Sequence, residues 1–323
     1  MAVTYRPTDY LYLSARLRAK EAGLVGKEHL ARYAGMRDAA EITATLVAEG
    51  IFQADMSREQ ALTALLREGF ACVKESAPDP AIFDFLQYPY DCHNIKAVLK
   101  CRYLGRDPET LMLDAGSVPA EALLEIPTVV PSALPAHLRE GVLAARDAYE
   151  RTHDPREIDF VLDAACFADM AASAAVLPAA EKLVRARAEM TNLRTCHRLI
   201  AMKAGEAGEV ILSRAFLTGG VTDKARLLAA YRDGVSGFTA LAESGDFARV
   251  FENADPAAID LAMDNAYLEI AKQGARVPFG AEVALGYLVG VEYAVKNLRI
   301  LLVAKETGAD AATLSGRLRE NYV

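Results

Sequence analysis

The sequence predicts an all-α protein, and three observations support this fold class. Alanine, leucine, glutamate and arginine are abundant and tryptophan is absent, and the abundant types lose little rotamer freedom in a helix. Apolar residues recur at spacings of three and four along most of the chain, as in the segment 138–145. Strand signals are scarce, since the short β-branched run 128–130 is bounded by prolines.

Several helix starts carry an aspartate followed by a proline. Asp154-Pro155 combines an N-cap carboxylate with a proline at the first helical position, where a backbone donor is not needed. Glu157 stands at the third position, as in a capping box. Asp255-Pro256 and Asp79-Pro80 repeat the Asp-Pro signal. We therefore expect helices to begin at these three places.

Composition and charge exclude several functional classes. The 323 residues are 52% hydrophobic and 25% charged, which is typical of a folded globular protein. A formal net charge of −8 disfavours nucleic acid and anionic lipid as partners. The cysteines are odd in number and widely spaced, which predicts reduced core thiols in a cytosolic protein. They are Cys72, Cys92, Cys101, Cys166 and Cys196.

The most hydrophobic stretch, residues 283–303, is predicted to be a buried helix. Glu292, Lys296 and Arg299 interrupt it, and each charge would cost about 2–3 kcal/mol in the centre of a bilayer. Charged residues near the start of the chain also argue against a secretory signal. We expect neither a membrane span nor a cleaved leader.

A triplet of an amide, an aliphatic residue and a cation occurs three times inside apolar helices. It reads Asn94-Ile95-Lys96, Asn192-Leu193-Arg194 and Asn297-Leu298-Arg299, and its asparagines are 98 and 105 residues apart. Each helix is predicted to end at a glycine, which suits the left-handed position past a helix end. These glycines are Gly105, Gly205 and Gly308.

A second repeated pattern, Asp-Pro-x-x-Ile-Asp-x-x-x-Asp, begins at Asp154 and again at Asp255. A period near 100 residues is too long for solenoid repeats and indicates a triplicated helical domain. The predicted repeats are residues 1–110, 111–215 and 216–323. Asp79 lies only 15 residues before Asn94, so either the first repeat differs from the others or Asp79-Pro80 is a different cap.

The triplet residues are the candidate partner-binding or structural repeat positions, and two explanations for them stay open. A buried amide or cation needs polar partners, so these side chains could bind neighbouring helix ends or acidic residues. Alternatively, three equivalent helices could present a polar stripe to a shared central cavity. The candidates are Asn94, Lys96, Asn192, Arg194, Asn297 and Arg299.

No motif predicts a catalytic, cofactor-binding or metal site. The chain lacks a phosphate-binding glycine loop and the common hydrolase and zinc-protease motifs. Adjacent residues on a helix diverge, so neither Cys92-His93 nor Cys196-His197 can chelate a metal well. The paired carboxylates are interpreted as a solvated helix face. They are Asp159, Asp163, Asp260 and Asp264.

Together, these segments resemble the C subunit of the V/A-type rotary ATPases, whose eukaryotic homologue is the d subunit. The resemblance covers essentially the whole chain and is strongest in residues 90–96, 189–194 and 295–299, with 10–18 also similar. The first triplet departs from the family pattern, because Ile95-Lys96 stands in place of Leu-Arg. The resemblance therefore equates the three asparagines, and the equivalence of Lys96 with the two arginines stays open.

The resemblance implies three similar helical bundles arranged with pseudo-threefold symmetry as a funnel. It implies a non-catalytic central-stalk subunit, a rotor adaptor that couples the central shaft to the membrane ring. Ion transport, of protons or sodium, would then be linked to ATP hydrolysis or synthesis. The implied location is the cytoplasmic face of the membrane, reached through the ring.

Two rival functions stay open at this stage. A general helical protein-binding scaffold would lack the three-bundle funnel. A helical enzyme would gather distant titratable residues into one pocket.

Overall fold

The structure is a computed structural model that describes residues 5–126, 128–253, 255–310, 313–314 and 316–323. Every regular element in these ranges is helical, which confirms the all-α prediction. The α-helices are α1 (Leu11–Glu21), α2 (Lys27–Ala34), α3 (Ala39–Ala48), α4 (Arg58–Lys74), α5 (Tyr88–Leu104), α6 (Ala120–Leu124), α7 (Ala136–Thr152), α8 (Pro155–Ala174), α9 (Pro178–Ala201), α10 (Gly205–Ala215), α11 (Lys224–Arg232), α12 (Gly234–Glu243), α13 (Pro256–Ala271) and α14 (Ala281–Glu306). Short 3₁₀ helices are Pro7–Tyr10, Pro80–Leu86, Glu109–Leu111, Ala248–Phe251 and Lys272–Arg276.

The chain divides into two compact units. The discontinuous unit consists of Met1–Ala81 and Leu261–Val323, and the continuous unit is Ile82–Asp260. The repeat ranges 1–110, 111–215 and 216–323 follow from sequence spacing alone and stay a prediction.

The core of the discontinuous unit is built around α14. Helices α1, α2, α3 and α4 all pack against it, and most of its residues are buried. Close packing against α4 depends on Gly69, since a Cβ there would lie 3.0 Å from a Val291 methyl group. The predicted burial of residues 283–303 inside a helix is thus confirmed. Among the described residues, no helix is long and apolar enough to cross a membrane.

The continuous unit is organised around α8, which forms a hairpin with α7 and also packs against α5 and α9. The hairpin helices approach closely at Gly141, where a Cβ would lie 2.8 Å from that of Ala165. A further cluster of buried side chains joins α9 to α10, α11 and α12. Both sides of α9 are therefore covered.

The predicted Asp-Pro caps form, with one correction. Asp154 accepts a hydrogen bond from the Arg156 backbone at 2.9 Å, and Asp255 accepts one from the Ala258 backbone at 3.0 Å. The capping box at Glu157 was wrong, because this carboxylate pairs with Arg214 on α10 instead. A charged partner on a packed neighbour offers Glu157 a stronger bond than the N-cap amide does.

The three triplet helices end at the same distance from their asparagines. The left-handed residue lies 11 positions after the asparagine in each case: Gly105, Lys203 and Gly308, with φ of 63°, 52° and 74°. The prediction for Gly205 was wrong, since this glycine begins α10. The Ala204 amide bonds back to the Leu199 carbonyl at 3.1 Å, and this Schellman-type closure holds Lys203 left-handed without a glycine.

The helix that precedes each triplet helix also begins at an equivalent place. Ser57 caps α4 by accepting a hydrogen bond from the Gln60 backbone, and it lies 37 residues before Asn94. The corresponding intervals for Asp154 and Asp255 are 38 and 42 residues. By this spacing, Ser57 and not Asp79 corresponds to Asp154 and Asp255 in the predicted first repeat. Asp79 caps the short 3₁₀ helix through the Ala81 amide.

Candidate functional site

The three triplet asparagines make the same pair of hydrogen bonds, which we call the amide clasp. In each clasp the Asn amide nitrogen donates to the carbonyl of one later residue and the amide oxygen accepts from the N–H of that residue. The clasped residue of Asn94 is Leu113, at 2.8 Å for both bonds. That of Asn192 is Leu217, at 2.8 and 2.9 Å.

Asn297 makes the third clasp with Arg319, at 3.1 and 2.8 Å. All three asparagines are at most 1% exposed. Each clasp satisfies a peptide group in a segment without helical bonding partners, which fixes that segment on the triplet helix. Their predicted role in partner binding stays a prediction, and the clasps show the contacts that these amides already make.

A buried carboxylate adds to the clasp in the first two predicted repeats. Asp91 accepts hydrogen bonds from Ser117 and from the Val118 backbone, the shortest at 2.6 Å. Glu189 accepts hydrogen bonds from the Val221 backbone and from the backbone and hydroxyl of Thr222, the shortest at 2.6 Å. Because several donors converge on each charge, these carboxylates hold the loop firmly.

Sequence reasoning missed these two acids, although a signal for them exists. Each lies three residues before its asparagine, so both side chains share one face of the helix. A glycine precedes each pair of bound donors: Gly116 and Gly220. A Cβ at Gly116 would lie 2.0 Å from the Asp91 carboxylate, and one at Gly220 would lie 2.6 Å from that of Glu189.

Each triplet cation forms an ion pair with an acid on the helix that precedes a different triplet helix. Lys96 lies 2.5 Å from Asp163 on α8. Arg194 lies 2.9 Å from Asp260 on α13.

Arg299 completes the set at 3.0 Å from Glu59 on α4. The first two pairs lie in the continuous unit and the third in the discontinuous unit. The three pairs therefore link the predicted repeats in the order first to second, second to third, and third to first.

The paired aspartates lie on partly exposed helix faces, with 20–47% of their side chains exposed, and in addition each forms an ion pair that the sequence did not predict. Asp159 lies 2.6 Å from Lys100. Asp264 contacts Lys296 at 2.6 Å and Arg319 at 2.8 Å. The remaining two, Asp163 and Asp260, bind the triplet cations described above. Sequence spacing placed two acids on one helix face, but it did not reveal that a basic helix packs against that face.

Lys96 is the most enclosed of the triplet cations, with 19% of its side chain exposed. Burial works to lower the pKa of its ammonium group, but Cys92 and the Asp163 carboxylate act in the opposite direction and the pKa is raised overall. The ammonium group therefore stays charged at neutral pH, and its charge is balanced within the protein.

The cysteines are all free and buried, as predicted for core thiols. The histidines of the two Cys-His pairs contact protein groups: His93 bonds to the Leu111 carbonyl at 2.9 Å, and His197 packs on Phe238. Burial lowers the pKa of His197. Within the described ranges, no group of three or more His, Cys, Asp and Glu side chains could hold a metal.

We expect alkaline pH to destabilise the fold through Cys196. Burial raises the pKa of this thiol to about 12 from its usual value of 9.0. Above pH 9 the unfolded chain releases the proton while the folded chain retains it, so stability falls until the folded pKa is passed. One such group lowers the free energy of unfolding by about 1.4 kcal/mol per pH unit. Urea unfolding at pH 8 to 10.5 should show a shallower decline for Cys196→Val; an identical slope would contradict this.

Two sequence comparisons with known proteins identify the family of this chain. The sequence profile of the family described as "ATP synthase (C/AC39) subunit" matches residues 13–317. The chain belongs to this family. A relative, the C subunit of the V-type sodium ATPase of Enterococcus hirae, is 26% identical over 281 residues, which cover 84% of this chain and 83% of that protein.

Membership identifies the chain as a C subunit of the V/A-type ATPases, which is a non-catalytic part of the complex. The resemblance seen in the sequence is thereby confirmed. The matched range includes all three triplet asparagines and both buried carboxylates. In this chain, the clasps hold loop segments on the triplet helices, and the ion pairs join helices to one another.

Proposed function

We propose that this protein is the rotor adaptor of the central stalk, which couples the central shaft to the membrane ring. The observation that carries the proposal is the family match over residues 13–317. Its partners would be the shaft subunits and the ring, and it would lie on the cytoplasmic face of the membrane through the ring. The transported ion, proton or sodium, would be set by the ring and not by this chain.

The proposed arrangement has three bundles around a pseudo-threefold axis, with repeats at residues 1–110, 111–215 and 216–323. The repeated features support it: an amide clasp in each triplet helix, a helix stop 11 residues after each asparagine, and an equivalent cap before each. The order of the three ion pairs is also the one that a closed set of three repeats requires.

Rigidity is the mechanical property that a coupler needs. Close-packed interiors have low compressibility and transmit strain between distant surfaces. The clasps and buried carboxylates fix the loops that leave the triplet helices, so an applied torque would move them together with the helices. We infer that this construction serves torque transmission.

The decisive experiment is reconstitution of the ATPase with and without this protein. Complexes that contain it should couple ATP hydrolysis to ion transport in vesicles. Complexes that lack it should hydrolyse ATP without transport, because shaft and ring are no longer joined. Full coupling in its absence would overturn the proposal, and stable capture of an unrelated protein by the chain would favour a general helical scaffold.

Arg194 allows partner binding to be tested apart from folding. Its ion pair with Asp260 is open to solvent, with 47% of both side chains exposed, and such pairs contribute only about 0–1 kcal/mol. Arg194→Ala should therefore leave the free energy of unfolding almost unchanged. If Arg194 contacts the shaft, the substitution should weaken shaft binding by about tenfold, equivalent to about 1.4 kcal/mol.

Arg232→Ala is the matched control, since Arg232 forms a comparably exposed ion pair with Glu209 outside the triplets. Equilibrium binding of each variant to purified shaft subunits is the measurement. Equal affinities of both variants for the shaft would show that Arg194 does not contribute to shaft binding and acts only in its ion pair with Asp260.

A further inference from the structure

Helices α5 and α8 of the continuous unit pack antiparallel, and two ion pairs fix their register. Lys96 on α5 pairs with Asp163 on α8. Lys100 lies one turn later on α5, and it pairs with Asp159, which lies one turn earlier on α8. Cys92 lies one turn before Lys96 on α5, and Cys166 lies one turn after Asp163 on α8. The same register therefore brings these two cysteines to the same level. Both cysteines are 3% exposed.

The contacts of the Cys92 thiol agree with this register. The Cys92 Sγ donates to the Leu162 carbonyl at 3.5 Å and lies 4.0 Å from the Asp163 carboxylate. Leu162 lies one helical turn before Cys166, so the Cys92 Sγ lies beside the turn of α8 that carries Cys166. The two thiols thus lie on facing turns of two helices that the sequence assigns to different repeats.

We propose that Cys92 and Cys166 form an oxidisable dithiol, a modification site at which a peroxide joins α5 to α8 through a disulfide. In the balanced step the two thiols lose two electrons and two protons. One S–S bond forms, the O–O bond of hydrogen peroxide breaks, and two molecules of water are released. The product links the predicted first and second repeats covalently.

The surroundings set the rate of this reaction. The neighbouring Cys92 thiol and burial raise the pKa of Cys166 well above its usual value, although Arg187 on α9 acts to lower it. Lys96 and Asp163, which face the pair from α5 and α8, neutralise each other. Because the thiolate is the reactive form, oxidation is slow at neutral pH and rises up to about tenfold per pH unit below the pKa of the attacking thiol.

The test uses the intact chain treated with hydrogen peroxide at pH 7 and pH 9. Remaining thiols are alkylated after denaturation, and a non-reducing peptide map identifies linked peptides. We expect a single crosslink, Cys92 to Cys166, with the thiol count falling from five to three and with faster formation at pH 9. The oxidised chain should unfold at a higher urea concentration, since the bond closes a long loop of the unfolded chain.

Two variants make the outcome specific. Cys166→Ser should abolish the crosslink, whereas Cys72→Ser, which removes a buried thiol of the discontinuous unit, should leave it intact. Because the peptide map of the unsubstituted chain identifies the linkage by itself, a poorly folded variant does not affect the test. Retention of both thiols under peroxide, their separate oxidation to sulfinic acids, or linkage to other cysteines would overturn the proposal.

Discussion

Asn192→Ala should lower the free energy of unfolding by about 2–5 kcal/mol, because it leaves two buried backbone groups without partners. The Asn192 amide satisfies both the N–H and the carbonyl of Leu217, and both bonds are buried. Leu217 is 3% exposed, so bulk solvent does not reach its peptide group while the clasp is intact. Since whole domains are stable by about 5–15 kcal/mol, this loss is a large fraction of the total.

Urea unfolding of the full chain, followed by circular dichroism, measures this effect. The control is Arg194→Ala on the same helix, which removes a larger side chain from an exposed ion pair and is expected to have little effect. A loss below about 1 kcal/mol for Asn192→Ala would mean that water or a shifted loop replaces the clasp. The amide clasp would then contribute little to the stability of the fold.

Gly116→Ala should lower the free energy of unfolding by about 3–6 kcal/mol, because it displaces a carboxylate that several donors bind. The new Cβ would lie 2.0 Å from Asp91 Oδ1 and 2.9 Å from its Cγ, so the carboxylate must move. The movement breaks the bonds from Ser117 and Val118, and each hydrogen bond to a charged group is worth about 1.5–3 kcal/mol. Backbone strain is not the cause, because the φ of Gly116 is not positive.

Gly245→Ala is the matched control for this substitution. A Cβ at Gly245 would lie 3.7 Å from the Ala242 carbonyl oxygen, which is an ordinary contact. Alanine there restricts the unfolded chain and should be neutral or stabilising by up to about 1 kcal/mol. Similar unfolding midpoints for the two variants would show that the Asp91 loop adapts without loss, contrary to our expectation.

The structure explains why the predicted first repeat is irregular in the sequence. An Asp-Pro pair was expected before Asn94, but the equivalent helix begins at Ser57, whose hydroxyl supplies the same capping bond. Serine and aspartate are interchangeable as caps because both accept a hydrogen bond from the first turn. Asp154 and Asp255 share the Asp-Pro pattern, whereas the third equivalent cap, Ser57, has the same capping chemistry without that pattern.

The helix stop of the predicted second repeat also has an equivalent conformation without an identical residue. Lys203 occupies the left-handed position that glycine holds in the other repeats. A non-glycine residue can take this conformation at a cost of about 1 kcal/mol or more, and the surrounding bonds of the helix end offset that cost. The glycine-based prediction consequently placed the stop two residues too late.

The sequence by itself determined the helical class, the recurrence of the asparagine triplet and membership of the family. These features depend on the spacing of residues within single helices, where the 3.6-residue period relates sequence directly to structure. Local caps such as Asp154 could be predicted for the same reason.

Only the tertiary structure decided which groups the polar side chains bind. The clasped residues lie 19 to 25 positions beyond their asparagines, and the acids that bind Lys96 and Arg194 lie 67 and 66 positions away. No helical period relates such positions, and the packing of one helix on another selects the partner. Paired aspartates are solvated or ion-paired depending on the helix that covers them, and that helix is specified only by the folded chain.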